Sequence, residues 1–187
     1  MSKLIGIVDI ETTGFLKNGG LIVEIGIVSL DIHTGKVQPV FSSVVKEDGF
    51  SERHLDEPYG WIFQNSDLTY DEVINAPYLE NLLPQIQEIC DSFEYGLTAF
   101  NKKFDFPFLK DRGLKFKELS CIMLRATPIV NLPPNFGYTE PKWPSVEEAW
   151  AYFFPERPYE EKHRALDDAL HEAEIAYQII QKDKARP

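Results

Sequence analysis

Asp9 and Glu11 stand two residues apart in the stretch GIVDIETTGF, directly after a run of Ile and Val. In a strand, residues i and i+2 project from one face about 7 Å apart, so these two carboxylates point together. Beside an apolar run that arrangement is costly without a counter-charge, because like carboxylates repel and buried charge is penalised by several kcal/mol. A divalent cation would remove the cost, and oxygen-only ligands select a hard cation, Mg²⁺ or Mn²⁺, over zinc. Taken alone, the pair reads more readily as a solvated strand end. Two further places carry acids in matching surroundings. Asp105 follows the short apolar segment LTAF and precedes Pro107, where it also reads as a helix N-cap. In HRALDDALHEAE, His163 precedes the last helix and Asp168 lies five residues on, with Asp167 on a different face. Singly, Asp168 reads as a dipole partner in a first helical turn.

The elements that must position these groups follow from periodicity. Residues 4–10 form a β-branched apolar run closed by Thr-Thr-Gly, residues 21–30 a second, and residues 36–45 a third after the turn HTGK, which predicts an antiparallel meander. Thr69 with Glu72 makes a capping box. After Pro77, the residues Leu79, Leu82, Leu83, Ile86, Ile89, Cys90 and Phe93 recur at helical spacing, with Pro84 a candidate kink. YGLTAF predicts a short buried strand, followed by a helix with Pro107 in its first turn and an end at Gly113. A further helix is expected across residues 119–126, and Ser145 with Glu148 forms a second capping box opening VEEAWAYFF. The last helix, about residues 165–181, places Leu166, Ala169, Leu170, Ala173, Ala176, Tyr177 and Ile180 on one face. Strands first, then helices interleaved with strands, predict a mixed α/β sheet flanked by helices. TPIVNLPPNFGYTEPKWP holds five of the thirteen prolines and reads as an irregular surface loop.

A chain of 187 residues buries enough surface for one domain spanning residues 1–187 without disulfide or metal support. Cys90 and Cys121 fit neither a disulfide framework nor a zinc pattern and are expected as reduced core thiols. The start, MSKLIGIVDIETTG, is broken by Asp9 and is not a signal peptide, and no run reaches the roughly 20 apolar residues of a membrane span. A soluble, cytoplasmic protein without membrane contact is the expectation. The net charge of −11 argues against a generic nucleic-acid binder. Between Asn101 and Lys117, however, lie six basic residues (Lys102, Lys103, Lys110, Arg112, Lys115, Lys117) against two acidic ones, a local +4 that leaves −15 for the rest.

DIETTG, NKKFDFPFL and HRALDDA stand in the order, and at about the separations, of the three motifs of the DnaQ-like (DEDDh) exonucleases, and the chain resembles that family from residue 4 to about residue 181. The resemblance implies a ribonuclease H-like fold: a mixed five-stranded sheet, the meander of three plus parallel strands, flanked by helices. It makes Asp9, Glu11, Asp105 and Asp168 the metal-binding acids and His163 the general base, and the His-to-Asp spacing of five places the chain in the histidine branch. It further implies two divalent ions, Mg²⁺ or Mn²⁺, with Asp9 bridging, Glu11 and Asp168 completing one and Asp105 supporting the other. The implied reaction is stepwise 3′→5′ hydrolysis to nucleoside 5′-monophosphates, with His163 taking the water's proton. By position, Thr12 and Thr13 would offer backbone amides to the terminal 3′-hydroxyl, Phe15 would wedge between the last two bases, and Asn101 matches the second motif's Asn. Phe100 stands where the family often has His, and Cys121-Ile122 where it commonly has Asp-Thr.

The basic segment surrounds the second motif, so Lys102 and Lys103 are expected to meet the strand behind the scissile phosphate. Tyr59, Trp61 and Phe63 alternate in PYGWIF, either as core filling or as stacking surfaces for bases. The expected substrates are 3′ ends of single-stranded DNA or RNA, with DNA preferred because DIETTG and HRALDDA look more like proofreading-type members than oligoribonucleases. The chain's end, QKDKARP, suggests an enzyme that stands alone or associates loosely with a DNA polymerase. The competing readings are an exoribonuclease acting on RNA ends, a non-catalytic nucleic-acid-binding module on the same fold, and an acidic Mg²⁺ or Ca²⁺ binding protein.

Overall fold

The three β-branched runs become strands β1 (Leu4–Thr12), β2 (Ile22–Asp31) and β3 (Val37–Val44), paired antiparallel as a meander in a computed structural model. This structure describes residues 3–185; the first two and last two residues, including the end of QKDKARP, lie outside them. A two-residue strand β4 (Leu97–Thr98) pairs parallel with β1, giving the order β3-β2-β1-β4. The sheet is thus mixed, as expected, but has four strands rather than five. The fifth position is taken by residues 117–119, which make one parallel bridge through Leu97 N–H to Lys117 O (2.9 Å) and Leu119 N–H to Leu97 O (2.7 Å). The chain then turns at Ser120 into a helix, so the ladder cannot continue.

Seven helices follow among the described residues: α1 (Trp61–Asn65), α2 (Tyr70–Ile74), α3 (Leu79–Ser92), α4 (Lys102–Asp111), α5 (Ile122–Val130), α6 (Val146–Phe153) and α7 (Ala165–Lys184). Both predicted capping boxes close: Glu72 N–H donates to Thr69 Oγ1 and Glu148 N–H to Ser145 Oγ, each cap contributing about 1 kcal/mol. Alternation along β1 divides the core. Ile5 and Ile7 face α5, α6 and α7 with Trp150, Ala169, Ala173 and Ile175, whereas Val8 and Ile10 face α3 and α4 with Leu79, Ile86, Phe106 and Leu109. Asp9 and Glu11 continue the Ile5–Ile7 row beyond the apolar core, towards the start of α7. A small third cluster of Val23, Phe50, Ile62, Leu68 and Val73 seats α1 and α2 against β2.

Three boundaries differ from expectation. α4 begins at Lys102, with Asn101 at the N-cap position but making no side-chain capping bond, so Asp105 lies in its first turn rather than at the N-cap, and Pro107 falls inside the helix. Pro107 forfeits the bond to the carbonyl four residues back, a loss tolerated where buried Phe106, Phe108 and Leu109 anchor the helix. α5 starts three residues later than expected because Leu119 is held beside β4, and it runs through Pro128 to a left-handed Asn131, so only the remainder of the proline-rich stretch is irregular. Cys90 and Cys121 are free and buried, as read. No described helix is long and apolar enough to cross a membrane.

Candidate active site

A cleft of about 640 Å³ opens at the end of β1. Into it come Asp9 and Glu11 from β1, Asp105 from α4, His163 from the turn before α7, and Asp168 from the first turn of α7. The four acids and the histidine that are scattered over most of the sequence therefore face one space. Close approach of α7 to the sheet makes this possible. Gly26, paired with Asp9 across β1 and β2, lies under the start of α7, and a Cβ there would fall 2.3 Å from Ala165 O.

The histidine turn is fastened to the sheet by its neighbour. Arg164 donates through Nε and Nη2 to the two oxygens of Glu24 (2.9 and 3.0 Å) and through Nη1 to Asp67 (2.8 Å), and Ala165 N–H adds a third bond to Glu24 (3.2 Å). Glu24 is 4% exposed and stands opposite Glu11 in the β1–β2 register. This fastening holds His163 at a positive φ of 52°, a left-handed conformation that is uncommon outside glycine. Trp61 meets the His163 ring edge-to-face at 4.7 Å, and Glu161 Oε1 lies 3.9 Å from His163 Nδ1.

Asp168 is held at both oxygens, Tyr159 donating its hydroxyl to Oδ1 (2.6 Å) and Arg164 its N–H to Oδ2 (3.0 Å). Tyr159 itself stacks on His171 at 3.9 Å, so its hydroxyl is aimed by packing. Asp105 is 3% exposed and its Oδ1 has no hydrogen-bond partner among the described residues. The electrostatics are correspondingly adverse. Burial, then Glu172, Glu11, Asp105 and Asp168, push the Asp9 carboxyl well above its usual range. Burial followed by Asp168 and Glu24 does the same to Glu11, and burial raises Asp105 to about 7. Asp168 is raised by burial against the opposing pull of the Tyr159 bond. Such a set fits a hard divalent cation: oxygen donors, an unpartnered buried carboxylate oxygen, and repulsion that a cation would relieve. Glu11, His163 and Asp168 each offer one donor atom within 4.8 Å of the others.

The remaining sequence-predicted residues divide. Phe15 is 61% exposed at the cleft mouth, edge-on to Phe104 at 6.1 Å, and Asn101 lines the cleft. Thr12 and Thr13 line it too, but the Thr13 amide is already engaged, its N–H donating to Leu21 O (2.9 Å) and its hydroxyl accepting from Leu21 N–H (3.0 Å). Lys102 turns to Glu118 Oε2 (3.0 Å) and Leu119 O (2.9 Å), Lys110 also pairs with Glu118, and Arg112 clamps Glu47 (2.7 and 2.8 Å). Half of the basic segment is therefore neutralised within the chain, while Lys103 lies over the Trp143 ring at 5.6 Å. Of the aromatic trio, Phe63 packs with Phe50, Tyr59 bonds Asn18 O (3.0 Å), and Trp61 lines the cleft.

Sequence reasoning did not single out Glu24, Tyr159, Glu161, Arg164 or Glu172. Two of these carried a signal: Glu24 interrupts the apolar run LIVEIGIV, and Glu172 follows Asp168 by one helical turn. Tyr159 and Glu161 lie in an irregular segment without periodicity.

The geometry meets independent likenesses. The RNase_T family model, described as an exonuclease, matches residues 7–176. The DNA polymerase III PolC-type of Clostridium perfringens (strain 13 / Type A) is 30% identical over 171 residues, 89% of this chain but 10% of the polymerase, so the chain spans about a tenth of that relative's length. The nuclease domain of 3′hExo, a DEDDh family member bound to rAMP, superposes with a TM-score of 0.69 at 19% identity over 97% of this chain and 93% of its own. A 3′-exonuclease that recognises the histone mRNA stem-loop gives 0.67 at 18% identity over 97% and 83%. With the family match running from the first strand into the last helix, the chain belongs to the RNase_T family of DnaQ-like exonucleases.

Proposed function

We propose that this protein is a metal-dependent 3′→5′ exonuclease that shortens single-stranded DNA ends, releasing nucleoside 5′-monophosphates. The observation that carries the reading is the convergence of Asp9, Glu11, Asp105, Asp168 and His163 on one cleft from β1, α4, the turn before α7, and α7 itself. Asp9, Glu11, Asp105 and Asp168 would hold two divalent ions, Mg²⁺ or Mn²⁺, which supply Lewis-acid polarisation and neutralise charge at the phosphate. In the reaction, a water oxygen bonds to phosphorus, the P–O3′ bond breaks, and the departing O3′ takes a proton from solvent to become the new 3′-hydroxyl. His163 accepts the water's proton, and Glu161, 3.9 Å from Nδ1, stabilises the imidazolium that results. Phe15 stacks on the terminal bases and Asn101 and Thr12 line their path.

The choice of DNA follows the PolC-type relative, which is a DNA polymerase, and the same relative supports a loose association with a polymerase as the setting in which the domain works. RNA ends are the second reading, favoured by the structural relatives that recognise an mRNA stem-loop or bind rAMP. We take residues 1–187 as one exonuclease domain, and the free thiols Cys90 and Cys121 accord with a reducing cytoplasm. The test is digestion of matched 5′-labelled single-stranded DNA and RNA with Mg²⁺ or Mn²⁺, beside EDTA and Asp168→Ala controls. A metal-dependent ladder on DNA that the variant lacks is the expected result; a ladder on RNA alone reassigns the substrate, and no ladder on either polymer rejects the activity.

A further inference from the structure

The stretch between α5 and α6 carries aromatic side chains that the cleft chemistry leaves unused. Leu132 and Lys142 close it with an antiparallel bridge, and Tyr138 N–H donates to Asn135 O (3.0 Å) across a turn in which Gly137 has a φ of 84°. Residues 131–144 are therefore a hairpin-like loop with a built tip, stiffened by Pro133, Pro134, Pro141 and Pro144. On it Phe136 is fully exposed, Tyr138 is 75% exposed and Trp143 is 53% exposed. Rings held so far into water add little to the fold by burial, and exposed apolar patches of this kind mark binding surfaces.

Where the loop returns decides what it would meet. The Lys103 ammonium lies over the Trp143 ring at 5.6 Å, and the residues on either side of the pair 102–103, Asn101 and Phe104, line the cleft. Three residues after Trp143, Val146 lines it too. The aromatic loop is thus continuous with the cleft. Lys103 is exposed and forms no ion pair among the described residues, whereas Lys102 and Lys110 share Glu118. The loop holds one acid, Glu140, and one base, Lys142, so it adds no net repulsion in a chain of net charge −11. A cleft of about 640 Å³ is the size of a pocket for one small ligand, so a strand longer than its last nucleotides has to leave it.

We propose that Phe136, Tyr138 and Trp143, with Lys103, form a second nucleic-acid-binding surface that holds the single strand on the 5′ side of the scissile phosphate. Unpaired bases offer flat faces to the rings, and such stacking is indifferent to sequence. Lys103 supplies the contact to a backbone phosphate. The prolines order the loop before the strand arrives, which lowers the entropy lost on binding. The inference rests on the exonuclease reading above, and it concerns the length of strand held rather than the hydrolytic step.

The experiment is fluorescence anisotropy with a 5′-labelled single-stranded DNA trimer and dodecamer, using the full chain with Asp168→Ala so that the strands stay intact. It is repeated with Phe136→Ser and Tyr138→Ser added; both positions are exposed, and a thermal melt verifies folding. We expect dodecamer affinity to fall about 10–100-fold and trimer affinity to be unchanged. Loss of stacking should leave the salt dependence of dodecamer binding as it was, whereas Lys103→Gln should lower its slope by about 0.7. Dodecamer binding that the two serines leave unchanged, or an equal loss for both strands, would overturn the inference and leave the nuclease reading intact. A chain that sediments as a dimer until the serines are added, with dodecamer binding unaltered, would overturn it in favour of a second copy on these rings. A chain that binds neither strand and, with Asp168 restored, degrades neither would overturn both readings.

Discussion

Replacing Arg164 by Met tests whether the histidine turn is held by a buried ion pair. Glu24 is 4% exposed and receives two bonds from the guanidinium and one from Ala165 N–H, so Arg164→Met leaves a buried carboxylate with a single amide donor. Stripping one partner from a buried pair costs about 3–5 kcal/mol. The Arg164 side chain is 24% exposed, so water reaching the gap recovers part of that, and we expect a loss of about 2–3 kcal/mol. For a chain of this length that is a fall of roughly 5–10 °C in melting temperature. The assay is urea and thermal unfolding in EDTA, so that cation binding does not contribute, repeated in a Glu24→Gln background. With the carboxylate neutralised, Arg164→Met should cost less than half as much, because no charge is stranded. A cost below about 1 kcal/mol, or equal costs in both backgrounds, would refute the reasoning. The pair also bears on the site: Glu24 faces Glu11 across the ladder, and an uncompensated Glu24 adds to the repulsion that already raises Glu11.

Two further outcomes are expected. Asp9, Glu11, Asp105, Asp168 and Glu172 all hold their protons more tightly when folded, Asp105 up to about 7, so the folded chain binds protons that the unfolded chain has released. Metal-free stability should therefore fall as pH rises from 5 to 8, above the range of the lowered surface carboxylates such as Glu118 and Glu148, and Asp105→Asn should flatten that slope; melts in EDTA that rise with pH would contradict it. Phe15→Ala removes an exposed ring whose main neighbour is Phe104, so stability should move by under about 0.5 kcal/mol, whereas KM for single-stranded ends should rise about tenfold through lost stacking. Steady-state kinetics with an unchanged KM would remove Phe15 from the binding surface.

Much of the fold was legible because its signals are local. The β-branched runs and the capping boxes at Thr69 and Ser145 each report a segment's own preference and formed where they were read, whereas the buried face of α7 keeps Ala169, Ala173 and Ala176 but adds Ile175 and Ile179 and leaves Leu166, Leu170, Tyr177 and Ile180 half-buried. One misread boundary is a place where a neighbour decides: Leu119 is drawn to β4 instead of starting a helix, while α4 simply begins at Lys102, ahead of Asp105. The same division holds for the lysines. Composition marks residues 101–117 as basic, but pairing of Lys102 and Lys110 with Glu118 depends on how two segments lie together.

The sequence by itself determined the residue types, the spacing that puts Asp9 and Glu11 on one strand face, and the five-residue step from His163 to Asp168. Tertiary structure alone decided that Glu172 joins them and that Asp105 keeps an unpartnered oxygen. It also decided that Tyr159 and Arg164 fix the orientation of Asp168 and His163. The physical reason is that periodicity encodes which face of an element a side chain occupies, whereas hydrogen bonds, burial and charge repulsion depend on what the opposing element brings to that face.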